Sequence, residues 1–178
     1  GPGYGYDVKY LALRTEERSQ ASDENKAATA VAALAEGWRA STGDVHLRNE
    51  LGQMRKLAIG MIRRYGTLDA AVYPLLERSY REGIDMGERL DATEALAALR
   101  TEASARILMA ALQELHDRRQ RNVFGPVEEQ LIRRVIPALG DTGQAIARPL
   151  LDMVRNSPVH TGAIQVLARD AIRKISGQ

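Results

Sequence analysis

Asp85, Glu88, Asp91 and Glu94 set four carboxylates at three-residue intervals. Carboxylates brought together can hold a cation or act as a general acid–base pair. On a helix, however, each three-residue step turns by about −60°, so the four spread around half the circumference instead of converging. Arg89, four residues after Asp85, makes a favourable surface pair with it, and the run reads as a solvated polar face. His46, His116 and His160 are the only histidines. Zinc needs three or four donors within about 2.0–2.3 Å. These three lie far apart near expected helix ends, in no HxxxH or HExxH pairing, and read as solvated or cap-bonding residues. "STGD" (41–44) and "GDTGQ" (140–144) are cap-and-turn sequences, and no G-x-S-x-G, phosphate-binding glycine loop or dinucleotide fingerprint occurs. The absence of cysteine excludes disulfides and thiolate chemistry. The residues therefore predict a chain that is not an enzyme and takes no cofactor or metal.

The elements that would carry these residues are helices. At 178 residues the chain suits one domain with a continuous core. Alanine and leucine abound while Phe124 and Trp38 join only six tyrosines, a balance that favours helix over strand. Four apolar stripes with i, i+3, i+4, i+7 spacing recur: Ala58, Met61, Ile62, Tyr65; Ala92, Ala95, Leu96, Leu99; Ile132, Val135, Ile136, Leu139; and Ala168, Ala171, Ile172, Ile175. Their first members are 34, 40 and 36 residues apart, and each stripe runs into a stop: Gly66-Thr67, Thr101, Gly140-Asp141 or Gly177. Further helices are expected to begin at Leu68, Ala103 and Gln144, with "VYPLLE" (72–77), "LMAALQ" (108–113) and "ARPLLD" (147–152) in equivalent places. A two-helix period of this length is the signature of a helical solenoid. The expected pairs are about 23–65, 67–100, 102–139 and 142–176.

In this pattern the chain resembles the HEAT-repeat family, especially its short bacterial HEAT-like members. First helices of that family carry a proline ahead of leucines and bend there, as Pro74 and Pro149 would. Second helices read apolar-Arg-x-x-Ala-x-x-Ala-Leu, matched by Arg55 and Ala58 in "MRKLAIGMI" (54–62) and by Arg89, Ala92, Ala95 and Leu96. The third pair departs from it with Met109 and Glu129, and the fourth with Gln165. The tetratricopeptide family has a similar period, but its tryptophan, Leu-Gly and tyrosine pattern is not found. The HEAT resemblance implies an all-α, right-handed solenoid of about four pairs. With Thr67 and Asp141 as caps, both prolines would sit about two turns in and kink their helices.

The resemblance also places second helices on the concave surface, where the related alkylpurine DNA glycosylases hold duplex DNA. The doublets Arg55-Lys56, Arg63-Arg64, Arg133-Arg134 and Arg173-Lys174 test that possibility. Residues 47–65 carry a net +4, 84–100 a net −2, 126–139 zero and 160–175 a net +2. A groove that tracks phosphates needs an unbroken run of cations, and this one is acidic in the middle. Nor does any motif here match the glycosylase catalytic residues, and for a phycobilin-lyase-type domain only the fold is similar. The expectation is a protein-binding scaffold, with nucleic acid or a glycosylase-like enzyme as the alternative. Arg55, Arg63, Arg64 and Arg89 are the candidate partner contacts, because arginine is enriched among interface hot spots.

Gly1-Pro2-Gly3 reads as the scar of an expression tag, so the natural N-terminus is expected to be missing and the scaffold to be a fragment of a larger protein. The compartment is left open, cytoplasmic being favoured over periplasmic, and no apolar run reaches membrane-spanning length. Residues 4–22 are either a half-repeat, in which Tyr10 and Leu13 continue the stack, or a tail. "HDRRQRNVFGPVEEQ" (116–130) holds a loop, with Phe124 either tucked beneath it or presented to a partner. Trp38 is expected to pack at the end of the opening helix.

Overall fold

The apolar stripes close as the 3.6-residue period requires. In the computed structural model, residues 5–177 are described, and Gly1–Gly3, the expected tag scar, lie outside them. Among the described residues the fold is all-helical, with no strand. The α-helices are α1 (Tyr6–Arg18), α2 (Asp23–Arg39), α3 (Val45–Tyr65), α4 (Val72–Glu82), α5 (Met86–Leu99), α6 (Glu102–Gln120), α7 (Pro126–Asp141), α8 (Arg148–Asn156) and α9 (Gly162–Ile175). Of the four predicted stripes every member is buried except Tyr65, Leu99 and Ile175, each the last of its stripe and half-buried.

The chain divides into two compact units, one up to Ala95 and the other from Leu96, the division falling within α5. In the first, α3 is the central helix, packed along α2 and α1, while α2 also meets α4. Leu13 of α1, Leu34 of α2, Met54 and Ile62 of α3 and Leu76 of α4 are all buried here. Residues 6–18 are thus a helix seated on α3 through Leu13, while Tyr10 is only half-buried. In the second unit α9 packs along both α7 and α8, and α6 lies on α7. Gly140 lets α7 approach α9 closely: a methyl group there would come within 2.8 Å of the Ala171 Cα.

Helix starts differ from expectation, with consequences for the prolines. Thr67 and Asp141 are not caps. The Thr67 hydroxyl accepts from the Asp69 N–H (3.1 Å), and the Asp69 carboxylate from that of Ala71 (3.0 Å), so two side-chain turns delay α4 until Val72. Asp141 is still helical in α7, and a short 3₁₀ turn (Ala145–Ala147) precedes α8. Pro74 and Pro149 therefore fall in the first turns of α4 and α8, where an N–H has no intrahelical acceptor and proline costs little. The expected kinks have no cause there. The proline inside a helix is Pro137 of α7, which removes the bond that its N–H would have given the Arg133 carbonyl.

True caps occur where the composition suggests them. Ser22, Asp44, Thr101 and Thr161 each accept a hydrogen bond from a backbone N–H in the first turn of α2, α3, α6 and α9. Gly66 closes α3 at φ 72°, a left-handed position suited to glycine. Gly60, in the last third of α3, is exposed, and a methyl group added to it would meet nothing within 4 Å. Gly60→Ala should therefore stabilise the fold by about 0.5–1 kcal/mol through helix propensity alone. An unchanged or lower urea midpoint would show a neighbour at that position.

Candidate partner-binding site

The four candidate arginines do not share one environment. Arg55 is 5% exposed, inside the first unit. It lies on the buried face of α3 with Leu51, Ala58 and Ile62, one or two turns apart. Its guanidinium meets the Glu88 carboxylate of α5 side by side, Nε to Oε2 at 2.8 Å and Nη2 to Oε1 at 2.9 Å. Nη1 donates to the Gly37 carbonyl at 3.1 Å. Glu88 is fully buried and also accepts from the Ile84 N–H at 2.9 Å. Arg55 is thus spent on the interior and cannot reach a partner. The absence of a Cβ at Gly37 makes room for it, since one would lie 2.5 Å from the Arg55 Cγ.

Trp38, at the end of α2, covers the same guanidinium. The Arg55 Cζ lies 3.9 Å from the indole centroid and the Arg78 Cζ of α4 4.5 Å from it. The Trp38 Nε1–H donates to the buried Ser79 hydroxyl at 3.0 Å, and Arg78 donates to the Trp38 carbonyl at 3.3 Å. One aromatic ring thereby ties α2, α3 and α4 together, the packing role its place in the sequence suggested.

The carboxylates that looked like one solvated face, Asp85 just ahead of α5 and the others on it, are largely the partners of α3. Besides Glu88 with Arg55, Asp85 takes the Lys56 ammonium at 2.7 Å and Glu94 takes Arg63 at 2.6 Å. The expected Asp85–Arg89 surface pair gives way, because the Arg89 Nε donates instead to the Tyr80 carbonyl at 2.7 Å. Burial raises the Asp85 pKa, but Lys56 and the Glu88 and Gly87 N–H groups outweigh it and hold this carboxyl below its ordinary value. Burial and the nearby Glu94 push Asp91 upward, against the pull of Lys56 and Arg63. The cationic α3 and anionic α5 of the sequence are thus two sides of one set of ion pairs.

Arg63 and Arg64 remain at the surface near the end of α3, Arg63 with its side chain 57% exposed despite the pair with Glu94. Arg64 leans on the Tyr65 ring at 5.3 Å, with Lys26 of α2 at the same distance from that ring. Arg89 is half-buried beside Tyr80. Two open grooves flank α1. One, of about 680 Å³ against α2, is walled by Ala12, Ala32 and Ala33 over Leu13 and Met54 and edged by the Lys9–Glu36 pair. The other, of about 490 Å³ against α3, is lined by Tyr6, Tyr10, Asn49, Glu50 and Gln53 among others. Both expose mainly apolar surface, with polar groups at their edges.

In the second unit two of the three histidines come together, contrary to the reading of all three as solvated or capping. The His116 Nδ1 and the His160 Nε2 are 2.9 Å apart, and both residues are buried. The sequence held a signal for one of them. His116 continues the buried face Leu108, Ala111, Leu112, Leu115 of α6 at the next helical step. His46 is exposed and pairs with Glu50 at 2.9 Å. Phe124 is half-buried with the Arg119 guanidinium 5.0 Å from its ring centroid, and its neighbours Val123 and Val127 are exposed. Among the described residues no three His, Asp or Glu side chains converge in a way that could hold a metal ion, and no helix is long and apolar enough to cross a membrane. Comparison of the chain with protein-family models, curated proteins and solved structures finds no match.

Proposed function

We propose that the chain is a non-catalytic, protein-binding scaffold, built as a HEAT-like, right-handed α-solenoid of about four helical pairs. Its second helices present side chains to an extended partner, with Arg63, Arg64 and Arg89 as contacts and Arg55 holding the interior beneath them. The observation that carries this reading is the pairing of α3 cations with α5 carboxylates. A surface that tracks nucleic-acid phosphates needs cations free to replace counterions. Here Arg55, Lys56 and Arg63 already face Glu88, Asp85 and Glu94. What is left is a mixed polar surface with arginines at its edge, the composition of a protein-interface rim.

The test is affinity capture from an extract of the source organism, run in parallel with the chain and with an Arg63→Glu, Arg64→Glu variant of it. A protein enriched by the first and lost from the second is the expected result. Enrichment of no protein above control in any condition would count against the scaffold. Tight duplex DNA binding at low salt, falling steeply as salt rises, would transfer the fold to the nucleic-acid reading instead.

A further inference from the structure

We propose that His116 and His160 form an acid-labile latch, which holds the turn between α8 and α9 against α6 at neutral pH and releases it as the surroundings acidify. The latch is independent of what the scaffold binds. His116 belongs to the last two turns of α6, and His160 lies in the turn just before the Thr161 cap of α9. Their rings, with centroids 5.1 Å apart, share one hydrogen bond of 2.9 Å, in which one ring donates and the other accepts. That arrangement needs a neutral acceptor nitrogen. A proton on His160 places a cation in this buried site, so acid disfavours the closed arrangement.

A second side chain also ties this turn to α6, and it is a cation. The Arg119 Nε donates to the Val159 carbonyl at 2.9 Å, so its charge also opposes a proton on His160. Among the described residues no carboxylate is paired with either ring. Asp117 of α6 accepts from Gln113, and Arg118 lies between Glu114 at 3.7 Å and Glu128 of α7 at 3.4 Å. On α8, Asp152 and Arg155 pair with each other at 3.2 Å, and α9 carries no charged residue before Arg169. Burial first, then His116 and Arg119, accordingly lower the His160 pKa from 6.5 to about 4.

The sign follows directly. A base whose pKa is depressed in the closed form takes up its proton more readily in the open one. The closed form is fully favoured above about pH 6.5, loses ground as pH falls from there to about 4, and changes no further below that. Between pH 7 and pH 5 the open fraction should rise about twentyfold. Opening frees the turn that fixes α8 to α9, including the bond from the Gln165 amide to the Ser157 carbonyl (2.9 Å).

Hydrogen exchange on the intact chain tests this, with rates corrected for intrinsic pH dependence. The Ser157 and His160 amides, bonded to the Val154 and Ser157 carbonyls, should lose protection about twentyfold from pH 7 to pH 5, while those of Ile132–Ile136 in α7 hold theirs. In His160→Gln, whose amide can hydrogen-bond but cannot titrate, that acid response should vanish. Equal protection of the amides at 157 and 160 at the two pH values would overturn the latch, as would a folded His160→Gln with an undiminished response at 157. Imidazole titration by NMR needs no variant and decides the matter if His160→Gln does not fold. A His160 ring that protonates near pH 6.5 with the turn still closed refutes the proposal, whereas one neutral to about pH 5 supports it.

Discussion

Glu88→Gln is expected to lower the stability of the first unit by about 3–5 kcal/mol. The glutamine amide fills the same space but leaves the Arg55 charge, 5% exposed, without a counter-ion. Its NH₂ group also confronts a guanidinium that needs two acceptors, where Glu88 now offers both oxygens at 2.8 and 2.9 Å. Since whole domains are stable by only about 5–15 kcal/mol, the loss should be plain in urea unfolding. The double variant Arg55→Met, Glu88→Leu should recover most of it. It removes both charges together, and well-packed apolar replacements of a buried ion pair are often neutral or stabilising. A Glu88→Gln midpoint equal to that of the unaltered chain would mean that Arg55 is hydrated after all.

The second large effect is expected at Gly140. Alanine is the better helix former by about 1 kcal/mol, so propensity alone predicts a gain. The added methyl would lie 2.8 Å from both the Ala171 Cα and Cβ and 3.2 Å from its carbonyl oxygen. Those are mostly backbone atoms of α9, which can give way only if two packed helices separate. Overpacking of this kind costs about 1–3 kcal/mol, and Gly140→Ala should be destabilising on balance. Gly60→Ala is the matched control, the same substitution on a helix with open space around it. If both variants shift stability in the same direction, close approach is not why glycine occupies position 140.

How far the molecule could be read in its sequence depended on what each residue type signals. The inward faces were legible because a period of 3.6 residues in Ala, Leu and Ile leaves few other places to hide apolar surface. The starts of α4 and α8 were not. Thr67, Asp69 and Asp141 all resemble caps, and only geometry tells a cap from the turn ahead of it. That ambiguity moved two prolines from helix interior to first turn, while Pro137, inside α7, drew no notice.

The surroundings of the candidate arginines were legible only in part, for a different reason. A net charge per helix treats every arginine as facing water, although position alone argues otherwise for one of them. Arg55 stands four residues after Leu51 and three before Ala58, and Glu88 stands four before Ala92, each in line with a buried stripe. Two opposite charges on inward faces, 33 residues apart and so nearly one two-helix period, are matched by position alone. The histidines offered half as much. His116 lies on a legible face, but nothing local marks His160, whose burial depends on a turn that only tertiary structure forms.

Trp38 is the only tryptophan in the chain, and its indole lies between two guanidinium groups with its N–H engaged by Ser79. The protein therefore carries its own optical gauge. Emission excited at the red edge of protein absorbance comes from one known place, where three helices meet. Any change in colour or intensity reports on that junction alone, without a dye or an engineered label.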